Sequence, residues 1–276
     1  MTKELVSTQW LAGHLASPDI SIIDCSWHLP TSKRDAKAEF LEQRIPGAQF
    51  FDIDLISDTE GILPHMLPKP EKFASHVRKM GIGDGKKVLC YDSLGLFSAA
   101  RVWWMFKVFG HDDVAVLDGG LPKWKAENRP LEDGPPLKPQ ERHFTARVQS
   151  MMVRDKADVR RALQVADARS PGRFRAEEPE PRPGVRAGHM PQAKNVHYAT
   201  LLNADGTLKS ETELAKIFET AGIDITKPVV TSCGSGVTAA MLSLALTLLS
   251  ARDHSLYDGS WVEWGSAIDT PVATGA

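Results

Sequence analysis

The order of hydrophobic and polar residues predicts a chain in which short buried strands alternate with helices. Strand-like runs lie at 20–25, 88–91, 165–168, 194–197 and 229–232, and helix-like segments lie at 71–80, 211–221 and 238–249. Ser210 and Glu213 form a capping-box signature before the second helix, and Gly222 marks its end. This alternation predicts an α/β fold with parallel sheets that are flanked by helices on both faces.

The second half of the chain repeats the pattern of the first. Four motifs recur in the same order about half a chain length later, which indicates two copies of one fold by internal duplication. The pairs are 22–24 with 165–167, 44–48 with 189–193, 79–82 with 220–223, and 117–120 with 257–260. The segment 131–143 is rich in proline and charge, and we interpret it as a linker between domains at 1–130 and 144–276.

Composition narrows the class of protein. The chain has 276 residues, 42% of them hydrophobic, and a net charge of −2, so it can bury the cores of two domains and has no basic excess for nucleic acid. Its three cysteines are scattered and form no Cys-x-x-Cys pair, which argues against a disulfide framework or a zinc site. The first ten residues carry no apolar signal core, and the longest apolar stretch is too short to cross a bilayer. We therefore expect a cytoplasmic protein that binds no membrane.

Cys233 is the strongest candidate for chemistry. A β-branched run at 229–232 leads to it, Gly234 and Gly236 allow a tight turn, and an apolar helix follows. Such a turn directs backbone N–H groups and the positive end of a helix dipole at the sulfur, which favours the nucleophilic thiolate. Cys25 and Cys90 lie inside apolar runs without such a loop, so we interpret them as buried structural residues.

The sequence gives weaker support to two other functions of this loop. A cysteine phosphatase needs an arginine where this chain has Ala239, so hydrolysis of phosphate esters is not expected. The stretch from Gly234 to Ala239 also matches a loose dinucleotide-binding fingerprint, but no acidic ribose partner follows at the end of a second strand.

The loop resembles the active-site loop of the 3-mercaptopyruvate sulfurtransferases, a family within the two-domain rhodanese superfamily. Gly234 and Ser235 stand where thiosulfate-specific relatives carry arginine and lysine. The resemblance implies two tandem rhodanese-like domains, each a parallel sheet flanked by helices, with no metal or organic cofactor. It also implies a catalytically silent N-terminal domain, and Asp92 aligns with Cys233 in the duplication.

Further site residues follow from the same resemblance. The motifs at 172–175 and 179–182 resemble the family's substrate-binding elements, which implies that Arg173 and Arg182 bind the substrate carboxylate and ketone. Asp54 and His65 match the elements that are proposed to form a relay with the loop serine, here Ser235. The loop residues that would cradle the transferred sulfur are Gly234, Gly236, Val237 and Thr238.

The implied reaction is a double displacement through a persulfide of Cys233. 3-Mercaptopyruvate would donate the sulfur and leave as pyruvate, and cyanide, a small thiol or a reduced thioredoxin-like protein would accept it. Two alternatives stay open: a thiosulfate:cyanide sulfurtransferase, and a persulfide carrier module that docks on a protein partner. The loop lacks a cation after Cys233 to receive thiosulfate, and a carrier would not need the two arginines or the serine relay.

Overall fold

A computed structural model describes residues 3–251 and 253–275, and these divide into two compact units. The first unit comprises the chain up to Glu60, Leu67–Gln149 and Asn203–Leu208. The second comprises Gly61–Met66, Ser150–Leu202 and the chain from Lys209 onward. Each half of the sequence therefore contributes one short loop to the unit that is built mainly from the other half. The predicted linker boundaries at 131 and 143 stay a prediction.

The first unit is a parallel five-stranded sheet with helices packed on it. Its strands are β1 (Leu5–Val6), β2 (Ile20–Asp24), β3 (Gln49–Phe50), β4 (Lys87–Tyr91) and β5 (Val114–Leu117), in the spatial order β1-β5-β4-β2-β3. Its helices are α1 (Thr8–Ala12), α2 (Ala36–Glu42), α3 (Ile53–Ile56), α4 (Pro70–Lys79), α5 (Ala99–Val108) and α6 (Gly120–Ala126), with a 3₁₀ turn at Pro30–Ser32. The central strands are buried on both faces, as their continuous apolar sequences predict.

The second unit repeats this architecture. Its strands are β6 (Val153–Arg154), β7 (Val165–Asp167), β8 (Ala193–Asn195), β9 (Val229–Ser232) and β10 (His254–Tyr257), in the order β6-β10-β9-β7-β8. Its helices are α7 (Lys156–Val159), α8 (Pro171–Arg175), α9 (Glu211–Thr220), α10 (Ala239–Leu248) and α11 (Ser260–Ser266), with 3₁₀ turns at Ser150–Met152 and Tyr198–Leu201. The identical strand order confirms the duplication and the predicted parallel sheets.

Local signals place several of these elements. Ser210 accepts a hydrogen bond from the amide of Glu213 while the Glu213 side chain bonds the amide of Ser210, so α9 starts with the predicted capping box. The strand predicted at 194–197 is instead Ala193–Asn195, and the chain enters a 3₁₀ turn at Tyr198. None of the described helices is long and apolar enough to cross a membrane.

The core of each unit lies between its sheet and its helices. Two tryptophan pairs lie in these cores, and Trp103, Trp104, Trp261 and Trp264 are each at most 1% exposed. α10 is almost wholly buried, which explains why its sequence is apolar around the helix rather than on one face. A buried helix of this kind fixes the loop that precedes its first turn.

Candidate active site

Cys233 begins the loop between β9 and α10, at the carboxyl edge of the second unit's sheet. Its side chain is 2% exposed, and the amide of Gly236 donates a hydrogen bond to its sulfur over 3.1 Å. Gly236 has a φ of +82°, a backbone conformation that favours glycine, and this conformation turns the amide back toward the sulfur. A backbone hydrogen bond also fixes the loop, since the amide of Trp261 donates to the Cys233 carbonyl over 2.9 Å.

The other loop residues complete the turn into the helix. Val237 is buried, and Thr238 is the N-cap residue of α10 in a helical conformation without a side-chain capping bond. Because the helix begins at Ala239, the positive end of its dipole lies next to the cysteine loop. This arrangement suits an anionic sulfur species at Cys233.

Ser235 and His65 lie side by side in the second unit. The His65 Nδ1 atom is 2.9 Å from the Ser235 hydroxyl oxygen, and both side chains are buried. His65 belongs to Gly61–Met66, the loop that the first half of the chain contributes to this unit. Its φ of +60° is uncommon for a residue with a side chain, and such conformations occur often at functional sites.

Asp54, the third member of the predicted relay, belongs to the first unit. It lies in the first turn of α3, where its carboxylate accepts a hydrogen bond from the Trp27 indole over 3.1 Å. Its action together with His65 and Ser235 stays a prediction.

Arg173 lies against the cysteine loop. It projects from α8, a short helix whose N-cap residue Ser170 accepts a hydrogen bond from the Arg173 amide. A side chain placed on Gly234 would bring its Cβ within 3.0 Å of the Arg173 Nη2 atom. Glycine at position 234 leaves room for the guanidinium next to the loop.

Glu180 holds Arg173 in this position. Its carboxylate lies 2.5 Å from the Arg173 Nη2 atom, and its side chain is 4% exposed whereas that of Arg173 is 21% exposed. The other Glu180 oxygen accepts a bond of 2.8 Å from Arg169, which is also paired with Asp167 over 2.7 Å. Burial lowers the pKa of Arg169, but the two carboxylates outweigh it and hold that pKa above its usual value.

The sequence motifs did not identify this network. Arg169 stacks on the Trp261 ring with its guanidinium carbon 4.4 Å from the ring centroid, so an arginine fills the core next to the cysteine loop. The available signal was the acidic residue in the Pro-Glu-Pro-Arg motif that contains Arg182, because a carboxylate among several arginines suggests ion pairing. Arg182 itself is half-buried in the same segment.

Two neighbouring arginines have structural contacts elsewhere. Arg175 forms a bidentate ion pair with Glu177 at the surface. Arg186 donates hydrogen bonds to the carbonyls of Gly265 and Ala267 and so caps the end of α11. These contacts account for both guanidinium groups by surface pairing and helix capping.

The corresponding loop of the first unit binds its own carboxylate. Asp92 directly follows β4, as Cys233 directly follows β9. Four backbone amides of the loop donate hydrogen bonds of 2.7–2.9 Å to the Asp92 side chain, from Leu94, Phe97, Ser98 and Ala99. The Asp92 side chain occupies the position of the cysteine side chain, and this loop has no nucleophilic sulfur.

The other two cysteines are buried within the first unit. Cys25 and Cys90 are fully inaccessible, and burial raises the pKa of Cys25 well above its usual value. This agrees with a structural role. Over the described ranges, no three His, Cys, Asp or Glu side chains are grouped so that they could hold a metal ion.

Comparison with known proteins gives the same assignment in both halves. The protein-family model of the rhodanese-like domain matches residues 7–127 and 147–267. Human 3-mercaptopyruvate sulfurtransferase is 42% identical over 96% of this chain and 92% of its own length, and the Escherichia coli K12 protein of that name is 44% identical over 98% of both. Bovine thiosulfate sulfurtransferase is 38% identical over 95% of this chain and 92% of its own length.

Solved structures agree. The crystal structure of SseA from Escherichia coli, a 3-mercaptopyruvate sulfotransferase, matches with a TM-score of 0.86 and 41% identity over 94% of this chain and 99% of that chain. Both sheets, the duplicated strand order and the matches over nearly the whole chain lead to one conclusion: the chain belongs to the rhodanese family, with one rhodanese-like domain in each half of its sequence.

Proposed function

We propose that the protein is an enzyme that transfers the sulfur of 3-mercaptopyruvate to a thiol or to cyanide through a persulfide of Cys233, with release of pyruvate. The observation that carries the proposal is the loop geometry: a single cysteine under a helix N-terminus, with the Gly236 amide 3.1 Å from its sulfur. The names of the human and Escherichia coli relatives support the choice of substrate.

Substrate binding falls to Arg173 and Arg182. The Arg173 guanidinium lies against Gly234, so it can face a substrate whose thiol is next to Cys233. A guanidinium can donate two parallel hydrogen bonds to a carboxylate, and mercaptopyruvate carries a carboxylate and an adjacent ketone. Arg182 supplies the second set of donors for these groups.

Sulfur transfer requires a nucleophile and a stabilised leaving group. The Cys233 thiolate attacks the substrate sulfur, a sulfur–sulfur bond forms, and the carbon–sulfur bond breaks. Its electron pair moves into the ketone as pyruvate enolate, which takes up a proton to become pyruvate. Ser235, hydrogen-bonded to His65, stabilises the enolate oxygen or assists this protonation, and Asp54 orients the histidine.

The second half of the reaction restores the enzyme. The persulfide is held by the loop amides from Gly234 to Thr238, until an acceptor thiolate or cyanide attacks its outer sulfur and the Cys233 thiolate leaves. A reduced thioredoxin-like protein serves as a protein acceptor, and the cytoplasm is the site of action. Neither half-reaction requires a metal or an organic cofactor.

Thiosulfate is the competing sulfur donor. The similarity to bovine thiosulfate sulfurtransferase favours this alternative. So does the similarity to two Arabidopsis relatives that are named for both thiosulfate and 3-mercaptopyruvate. Gly234 and Ser235 place no cation directly after the nucleophile to receive a dianion, which ranks thiosulfate below mercaptopyruvate.

The decisive experiment supplies the purified protein with either donor and cyanide as acceptor. We expect efficient formation of pyruvate and thiocyanate from mercaptopyruvate, weak use of thiosulfate, and an intact mass increased by one sulfur atom without acceptor. The Cys233→Ser variant should lose both turnover and the added sulfur, whereas Cys90→Ser should keep them. Preference for thiosulfate would assign the alternative, and sulfur loading without turnover would indicate a carrier.

A further inference from the structure

A cavity of about 320 Å³ opens in the first unit, at the carboxyl ends of β2 and β4. This edge is where ligands bind on open parallel sheets. The cavity is distinct from the cysteine site, because its whole lining belongs to the first unit. Its polar lining includes Asp24, Ser26, Arg34, Glu39, Ser93 and Lys125.

The duplication shows what the second unit places at the equivalent point. Asp24 pairs with Tyr91 in the first sheet, and Asp167 pairs with Ser232 at the same register in the second. Each aspartate accepts a hydrogen bond from the amide two residues later, from Ser26 over 2.9 Å and from Arg169 over 3.0 Å. The two sites therefore share one backbone turn around one buried carboxylate.

They differ in the side chain that follows. In the second unit, the Arg169 guanidinium pairs with Asp167 over 2.7 Å and fills the space beside it. In the first unit, the short Ser26 side chain stands in its place and donates to Asp24 over 2.5 Å. A serine cannot fill the volume of an arginine, and both Asp24 and Ser26 line the cavity.

The chemistry of the cavity wall fits a cation. Asp24 is 1% exposed, and its hydrogen-bond partners Ser26 and Tyr91 are neutral. Burial raises the pKa of Asp24 to about 6, despite the hydrogen bonds from Ser26. Ser93 also lines the cavity, and its buried hydroxyl oxygen has no hydrogen-bond partner in the part of the chain that the structure describes. A buried carboxylate gains most from a partner that is both charged and hydrogen-bonding.

We propose that this cavity is a ligand site for a small molecule with a guanidinium group, which pairs with Asp24 as Arg169 pairs with Asp167. The volume accommodates a molecule of the size of free arginine. Arg34 donates two hydrogen bonds to Glu39, whereas Lys125 donates one to the neutral Gln43, its single partner among the described residues. Lys125 can therefore receive an anionic group at the far end of the ligand, and we take L-arginine as the probe.

Calorimetric titration of the full chain with L-arginine tests the proposal. L-Citrulline is the matched control ligand, because it replaces the guanidinium by a neutral urea group of similar shape. We expect L-arginine to bind at least about tenfold more tightly, since only it forms a charge-assisted pair with Asp24. Equal binding of the two ligands, or no binding of L-arginine, would overturn the proposal.

Two variants locate the site. Ser26→Arg supplies the guanidinium covalently, as in the second unit, and should abolish binding of L-arginine. Asp24→Asn keeps the shape of the wall and should weaken binding about tenfold or more. Circular dichroism verifies that each variant is folded, so either one suffices if the other does not fold. Asp58→Asn, a surface change in the same unit, should bind as the wild type does, and unchanged binding in folded Ser26→Arg would refute the assignment.

Discussion

At the scale of single residues, the contact between Glu180 and Arg173 determines how the site presents its guanidinium. The Glu180 carboxylate pairs with both Arg173 and Arg169, and Arg169 also pairs with Asp167. One buried carboxylate therefore links Arg173 to the core of the second unit. A side chain held in this way loses little conformational entropy when it binds a substrate. Glu180 is thus a positioning residue, and its effect should appear in substrate affinity.

Glu180→Gln should raise KM for mercaptopyruvate about tenfold and change kcat by less than about threefold, because one charge-assisted hydrogen bond to Arg173 is lost. Steady-state kinetics measure this. Glu177→Gln is the matched control, since Glu177 pairs with Arg175 at the surface of the same segment.

A second readout does not depend on turnover. Phenylglyoxal should modify Arg173 faster in Glu180→Gln than in the wild type, as mapped by peptide mass spectrometry. A lower melting temperature with unchanged KM and unchanged modification would reduce Glu180 to a purely structural residue.

His65 provides the second prediction at this scale. His65→Asn removes the ring but tolerates the left-handed backbone at this position. We expect kcat for mercaptopyruvate to fall roughly a hundredfold, as for the loss of a general acid, while Cys233 still accepts one sulfur atom. His254→Gln is the control, because His254 is a half-buried histidine on β10 of the same unit and its Nε2 atom is hydrogen-bonded to Thr247. A kcat of wild-type size in His65→Asn would remove Ser235 and His65 from the proton transfer.

At the scale of elements, the loop between β9 and α10 places the Cys233 sulfur next to the N-terminus of a helix. The equivalent loop between β4 and α5 directs four amides at the Asp92 carboxylate. The two loops follow the same strand of the duplicated fold, so one backbone design holds a carboxylate in one unit and the proposed nucleophilic thiol in the other. The residue directly after the strand decides which of these it is.

Gly236→Ala tests the contribution of the loop conformation. An alanine at a φ of +82° is strained by roughly 1–2 kcal/mol, and relief of that strain moves the amide away from the Cys233 sulfur. We expect a lower free energy of unfolding, measured by urea denaturation. We also expect slower persulfide formation, measured as the intact mass of samples quenched at successive times. Gly222→Ala should have a similar cost in stability, since its φ is +77° after α9, but the wild-type rate of sulfur loading. Equal rates in both variants would contradict the role of the Gly236 amide.

At the scale of the whole molecule, stability depends on groups that titrate differently in the folded and unfolded chain. Burial lowers the pKa of His254 from 6.5 to about 4 in the folded protein. The fold therefore favours the neutral imidazole, and the stability that His254 contributes is fully present above pH 6.5 and is lost as the pH falls toward 4.

His254→Gln should flatten this part of the stability profile. Between pH 7 and pH 4, the wild type should lose on the order of 3 kcal/mol more unfolding free energy than the variant. Asp24 and Asp118 act in the opposite direction in both proteins, because burial raises their pKa values to about 6 and their contributions decline as the pH rises. Urea denaturation at a series of pH values measures the difference, and parallel profiles for the two proteins would disprove the assignment to His254.

The sequence by itself determined the α/β class, the duplication and the capping of α9, and it predicted Cys233 as the nucleophile. These features rest on signals between near neighbours or on repeated patterns: alternation of strands and helices, Ser210 with Glu213, and a cysteine between a strand and a glycine turn. Family resemblance extended this to Arg173, and the structure places that residue against Gly234.

Only the tertiary structure decided which distant side chains meet. His65 and Ser235 are 170 positions apart in the sequence, and their contact depends on the loop Gly61–Met66 belonging to the second unit. Arg169 shows no pattern of its own, because a buried arginine is stable only when carboxylates from separate segments surround it. The same dependence separates Asp24 from Asp167: their sequences share a strand and a turn, but one side chain two residues later determines whether a cavity or an ion pair lies beside the carboxylate.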